Sequence, residues 1–475
     1  MQRLLSLAFL VSLVPAVHSG DKAPAFKGID SETVDAFRKI GGRFESGIKS
    51  EVVSFRATWP VAPDVPGLPG FRFHKFPAAK LPAVAVPFGL DLSESDVTDA
   101  GLKQLAGHKN LVALNLSDTK VTDAGLKDLA GLTNLVSLYL YGPGVTDAGM
   151  KELAGLKNLA TLHLEETKVS DVGLKQLAGL KNISRLTLAR TPVTDAGLKE
   201  LAGLKNLTYL GLHGIPVTHV GLKELAGHKK LTELYVSPDK MTDESFRALR
   251  EIGLLHAFAQ AFGKGVERAK STDEVLRLHL AGTRITDEGL KELVAIKNLA
   301  SLNLSGTFVT DAGLKELAPF KNLTALDMES LRLTDVGLKE LASHKNLTKL
   351  NLGGTKVTNA GLKELAGCTN LAELNLERTR VTDAGLAHLA GLKKLTSLNL
   401  LGLNVTDAGC EDLAGFKNLT SLNLNHAPIT NVGLKQLAAL KNLTTLYVCS
   451  TKVTPAGVAE LQKSLPLCEI HRGPF

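Results

Sequence analysis

Leu111-Val112-Ala113-Leu114-Asn115-Leu116-Ser117-Asp118-Thr119-Lys120-Val121-Thr122-Asp123-Ala124-Gly125-Leu126-Lys127-Asp128-Leu129-Ala130 is the stretch from which the rest of the chain can be read. Leu114 and Leu116 alternate with polar residues, a period of two that predicts a short strand with its leucines on one face. Leu126, Leu129 and Ala130 stand at i, i+3 and i+4, one apolar stripe on a short helix. Thr122 is a natural N-cap for that helix, Asp123 suits the positive end of its dipole, and Gly125 lets the helix lie close to a neighbour. Neither element can bury its apolar face alone, so the stretch must stack on others like it.

The others are there. Thr98, Thr122, Thr146, Ser170, Thr194, Thr218 and Thr242 lie 24 residues apart; after one step of 44 the series resumes at Thr286 and continues through Thr310, Thr334, Thr358, Thr382, Thr406 and Thr430 to Thr454. Stacking such units predicts one long parallel sheet. The phrase Leu-x-x-Leu-x-Leu-x-x-Thr-x-Val-Thr-Asp-x-Gly-Leu resembles a leucine-rich repeat of the ribonuclease-inhibitor-like type, in bacterial-style units of 24, over about residues 87–466. That resemblance implies an α/β solenoid, a horseshoe with a concave parallel sheet and convex helices. Thr119 and its equivalents stand where the family usually has Asn, so a hydroxyl is expected to bond the turn backbone in place of an amide.

Composition agrees with a repeat core. There are 87 leucines against 22 aromatic residues, with 44% hydrophobic and 22% charged residues, which argues against a disordered chain and against a multispanning membrane protein. The net charge of +7 is spread through Gly-Leu-Lys-Glu-Leu phrases and reads as a solvated outer face, so no nucleic-acid partner is expected. Residues 1–19 have the layout of a secretory signal peptide: Arg3, an apolar run from Leu4 to Val17, and small residues before Gly20. Export to the periplasm, the cell surface or the medium is therefore expected, with no transmembrane span in the mature chain.

Six segments follow: the signal peptide, 1–19; an N-terminal cap with a proline-rich stretch, 20–86; a first array, 87–242; an enlarged helix or insertion, 243–274; a second array, 275–466; and a C-terminal cap, 467–475. The cap is amphipathic from Ser31 to Phe44, then rich in proline (Pro60, Pro63, Pro66, Pro69, Pro77). Glu244 to Phe262 reads as a longer helix with Phe246, Leu249, Ile252, Leu255 and Phe258 apolar; a polar loop from Gly263 to Asp273 precedes a strand at Val275 to Leu280. This is either the place where two arrays were joined or a dedicated partner site.

Chemistry is not evident. Cys368, Cys410, Cys449 and Cys468 read as small hydrophobes, with a Cys449–Cys468 disulfide left open. His108, His228 and His344 occupy one helix-end position in distant units and cannot converge on a metal. Nucleophile-elbow, phosphate-loop and zinc motifs are missing, so neither enzyme, cofactor nor metal is expected. Sequons such as Asn206-Leu207-Thr208 arise from the repeat itself.

The informative variation is at the exposed middle position of each strand, which reads Asp91, Asn115, Tyr139, His163, Thr187, Gly211, Tyr235, then His279, Asn303, Asp327, Asn351, Asn375, Asn399, Asn423 and Tyr447. Asn or Asp reads as a default solvent-facing choice, from which the third to eighth units depart. All five tyrosines fall on or beside these outward positions, with Glu165, Glu166, Arg185, Arg190, His213 and Arg277 near them. Tyr and Arg enrichment marks interface hot spots. The expected partner-binding residues are Tyr139, Tyr141, His163, Arg185, Tyr209, His213, Tyr235, Arg277 and His279. The reading is an exported, non-catalytic scaffold binding a protein on its concave face. A structural envelope spacer without a ligand is the alternative; a ubiquitin-ligase-type substrate receptor, which the resemblance also suggests, is disfavoured by the signal peptide.

Overall fold

The computed structural model describes residues 29–45, 68–258, 260–264 and 267–473; the expected signal peptide and much of the proline-rich stretch lie outside them. The chain divides between Ser237 and Pro238 into two compact units. The first carries a nine-stranded sheet whose strands lie in chain order. These are β1 (Arg43–Glu45), β2 (Gly70–Arg72), β3 (Phe88–Asp91), β4 (Leu111–Asn115), β5 (Ser137–Tyr139), β6 (Thr161–His163), β7 (Arg185–Thr187), β8 (Tyr209–Leu212) and β9 (Glu233–Val236). Only β1 is antiparallel to its neighbour. From β4 onward each residue pairs with the one 24 later, so Leu114, Leu138, Leu162, Leu186, Leu210 and Leu234 form one row.

The second unit repeats the plan with ten strands. Strand β10 (Ala261–Phe262) is antiparallel to β11 (Arg277–His279), and parallel pairing then runs through β12 (Ser301–Asn303) to β18 (Thr445–Tyr447) and β19 (Glu469–His471). The stacked helices between strands are short, such as Asp123–Leu126 and Asp147–Leu153, and several continue as a 3-10 turn. A unit of 24 residues has room for little more. Leu114, Leu126 and Leu129 are fully buried, and each such leucine contributes about 1.5–3 kcal/mol.

Polar ladders lock the units in register. Asp123 reaches past its own helix: Oδ1 accepts from the Thr146 amide at 2.8 Å and Oδ2 from the Thr146 hydroxyl at 2.6 Å. The same pair of bonds joins Asp171 to Thr194 and Asp311 to Thr334. Asn134 Nδ2 donates to the Lys109 carbonyl, and Asn206 Nδ2 to that of Lys181, so the sequon asparagine is a structural strut. Thr119 Oγ1 donates to the Leu116 carbonyl at 2.7 Å, as Thr167 does to Leu164 and Thr355 to Leu352. A threonine hydroxyl thus closes the turn.

Four expectations are corrected. The parallel sheet is not continuous: β10 occupies the edge of β11 opposite β12, so a second sheet begins there. The helix expected to reach Phe262 spans only Asp243–Glu251, because Gly253 at φ 74° reverses the chain; a 3-10 turn at Leu255–Ala257 and β10 follow. The next strand starts at Arg277, after a 3-10 turn at Thr272–Glu274. Residues 469–471 are no separate cap but one more parallel strand in repeat register, with Ile470 beside Leu446.

Candidate concave binding surface

The middle strand position has a structural task that composition alone hides. In the second unit, Oδ1 of Asn303 accepts from the Ser305 amide at 2.8 Å; Asn351, Asn375, Asn399 and Asn423 do likewise two residues on, as does Asp327. The side chain ties off the end of its own strand. Its Nδ2 then reaches a neighbouring carboxylate, from Asn351 to Glu329 at 3.1 Å and from Asn399 to Glu377 at 2.7 Å. Asp91 and Asn115 make the same bond at the start of the first array, to Ser93 and Ser117. Asparagine here is therefore a working part and not a solvent-facing default.

The next five units of the first array give that bond up. Tyr139, His163, Gly211 and Tyr235 have no carbonyl to offer, and Thr187 turns its hydroxyl to Glu165 at 3.2 Å. Rings and charges interlock in its place. Tyr139 stacks on His163 with centroids 4.5 Å apart, and Tyr209 lies 5.0 Å from Tyr235. The Arg185 guanidinium sits 4.2 Å above the Tyr209 ring and 3.8 Å from Glu233, which also accepts from the Tyr235 hydroxyl at 3.2 Å. At Gly211 an added Cβ would collide with Thr187 Oγ1, so the strand position beside Tyr235 carries no side chain.

One margin is polar. Arg190 meets Glu166 at 2.6 Å, and Tyr141 bonds the same carboxylate, which with burial pushes its phenol up to about 12. His213 Nδ1 lies 3.2 Å from Ser237 Oγ, which accepts from the Gly214 amide. Burial, and then the Arg185 charge, push His163 down to about 4, so it is a neutral ring at physiological pH. Burial likewise raises Glu165, and burial followed by Tyr235 pushes Tyr209 up to about 12. The surface offers half-buried neutral rings framed by Arg185, Glu233, Glu165 and Glu166.

Seven of the nine expected residues come together on β5 to β9 and the turns after them. Arg277 and His279 lie on β11, in the sheet of the second unit. There the Arg268 and Arg277 guanidinium groups lie 4.6 and 5.7 Å from the Phe262 ring, and the His279 ring lies 5.8 Å from it. Tyr447, left out of the expected site, stacks on His471 at 4.6 Å. Sequence reasoning missed Glu233, Thr187 and Gly211. The signal for Glu233 was its place in one row with Arg185 and Tyr209, each just before the central leucine of its strand.

Elsewhere two buried histidines have structural partners. His228 lies between the carbonyls of Leu225 and Leu201, at 3.2 and 3.0 Å, and His344 reaches that of Leu317. The four cysteines are free thiols, so Cys449 and Cys468 do not pair. Among the described residues no cluster of His, Cys, Asp and Glu could hold a metal, and no helix is long and apolar enough to cross a membrane.

The family model described as Leucine Rich repeat matches residues 107–130, 275–294, 343–366 and 417–438. No curated protein matches the sequence. Among solved structures, a leucine-rich-repeat protein of Leptospira interrogans is similar at 22% identity and a TM-score of 0.51, covering 77% of this chain and 97% of its own. An internalin from Listeria monocytogenes aligns at 24% identity and a TM-score of 0.45, over 68% of this chain and 82% of its own. A plant peptide hormone receptor in complex with RGF2 aligns at 15% identity and a TM-score of 0.41, over 81% and 70%. With the matched repeats and the stacked strand-and-helix units in agreement, the chain folds as a leucine-rich-repeat solenoid.

Proposed function

We propose that this is an exported, non-catalytic scaffold whose first array binds a protein partner on its concave face, through Tyr139, Tyr141, His163, Arg185, Tyr209, His213 and Tyr235. The observation that carries the reading is the run from Tyr139 to Tyr235, five consecutive units in which a strand-ending bond made by Asp91, Asn115 and the asparagines of the second unit is given up for interlocked rings. Giving up a local bond in neighbouring units is what a surface selected for contact does, whereas drift would scatter the losses. The rings are already held by one another, so binding orders few side chains and a few anchors suffice for useful affinity. Arg277 and His279, also expected to contact the partner, gather around Phe262 in the second unit.

The test cross-links the purified mature chain to an extract of its own cell envelope, then titrates the captured protein against wild type and the Tyr139→Asn/Tyr235→Asn variant. Losing two hot-spot rings should weaken binding at least roughly 30-fold. Unchanged affinity rejects the site. The absence of any saturable partner supports the spacer reading.

A further inference from the structure

The helix Ser31–Lys39, the first among the described residues, has a counterpart in the middle of the chain. Glu32, Ala36, Arg38, Ile40 and Gly41 recur as Glu244, Ala248, Arg250, Ile252 and Gly253, each 212 positions later. The likeness extends to geometry. Asp30 and Thr242 cap their helices by accepting from the amide three residues on, in Thr33 and Ser245, whereas Thr122, Ser170 and Thr334 in the stacked helices accept from the amide two residues on. Both helices end at a glycine of positive φ, Gly41 at 92° and Gly253 at 74°. Both lead into a short strand, β1 or β10, that pairs antiparallel with the first of a parallel series.

Each also fixes itself with aromatic rings where the stacked units use leucine. Phe37 stacks on Phe71 at 3.7 Å and lies 6.1 Å from Phe73, and Phe246 meets Phe258 edge-on at 5.7 Å. The internal copy is joined to the array it precedes: Asp243 accepts from Thr286, and Arg247 and Arg250 grip Glu292 at 2.9 and 2.7 Å. A solenoid needs such a piece wherever a leucine face and a sheet edge begin.

We infer that Thr242–Phe262 is an internal cap, a second copy of the N-terminal one, and that it makes the second array a separate cooperative folding unit within the same chain. The segment is a terminator and starter of arrays, not an inserted partner-binding loop.

Hydrogen exchange of the full chain, read by mass spectrometry, tests this with two mild variants. Phe246→Leu should speed exchange roughly tenfold through residues 277–471 and leave 88–236 at the wild-type rate; Phe37→Leu should do the reverse. Gly253→Ala and Gly41→Ala, which strain the positive-φ turns without touching the rings, should give the same division. Equal acceleration in both halves by any one of these variants overturns the inference, as does a second array indifferent to both Phe246→Leu and Gly253→Ala.

Discussion

Replacing Gly337 by alanine should destabilise the protein, against the usual rule for a helix. In the interior of a helix such as Asp335–Leu341, Gly→Ala ordinarily stabilises by about 1 kcal/mol. Here the new Cβ would stand 2.5 Å from Asp311 Oδ1 and 2.9 Å from Leu314 Cδ1, closer than real Cβ atoms come. The carboxylate has to move, and it is bonded to the Thr334 amide at 2.8 Å and the Thr334 hydroxyl at 2.6 Å. Two hydrogen bonds to a charged group at the low end of their range, about 1.5 kcal/mol each because the pair is half-buried, come to about 3 kcal/mol; subtracting the helix gain leaves a net loss near 2 kcal/mol. Urea unfolding of the full chain followed by circular dichroism reads the shift. The same substitution in an Asp311→Ala background should be neutral or stabilising, a coupling of about 3 kcal/mol. If Gly337→Ala stabilises on its own, or costs as much without Asp311 as with it, the carboxylate ladder does not set the spacing of the helices.

Other expectations follow from single side chains. Tyr139→Asn and Tyr235→Asn restore the residue that ties off the strand elsewhere, so thermal unfolding should show stability unchanged or raised by about 1 kcal/mol per site. Burial pushes the Cys410 thiol up to about 12 and raises Cys368 and Cys468, while Cys449 is half-buried; Ellman's reagent at pH 8 should find one fast thiol in the native chain and four in denaturant. Burial lowers the His228 pKa below its unfolded value, so the folded state favours the neutral ring and stability is lost as pH falls below about 6.5. His228→Leu, the residue other units carry there, should flatten the stability profile between pH 7 and 4.5; an unchanged slope would show that this ring does not couple folding to protons.

Which parts of this were legible in the sequence follows from how each is encoded. The register was, because an offset of 24 residues places leucine beside leucine and any slip turns the row towards water. The threonine turn bond was legible in outline: a hydroxyl at Thr119 was expected to bond the turn backbone, and it donates to the Leu116 carbonyl. The role of the middle asparagine was not: an Oδ1 bonded to a backbone amide and one bonded to water leave the same letter in the sequence. The sheet break was hidden for another reason. Strand β10 has two residues, too few to show a period, and its partner β11 reads like every other strand. Its trace lay in the long-range likeness of Ala36-Phe37-Arg38-Lys39-Ile40-Gly41 to Ala248-Leu249-Arg250-Glu251-Ile252-Gly253, which a search tuned to the repeat length passes over. The concave site was half legible for the same kind of reason. Tyrosines on outward strand positions announce themselves, but Glu233 and Gly211 matter only through what stands beside them, Arg185 and Tyr235 for the one and Thr187 for the other. A repeat protein therefore writes its scaffold in what recurs and its recognition surface in what departs from recurrence. The departures become interpretable once the bond that the recurring residue makes is known.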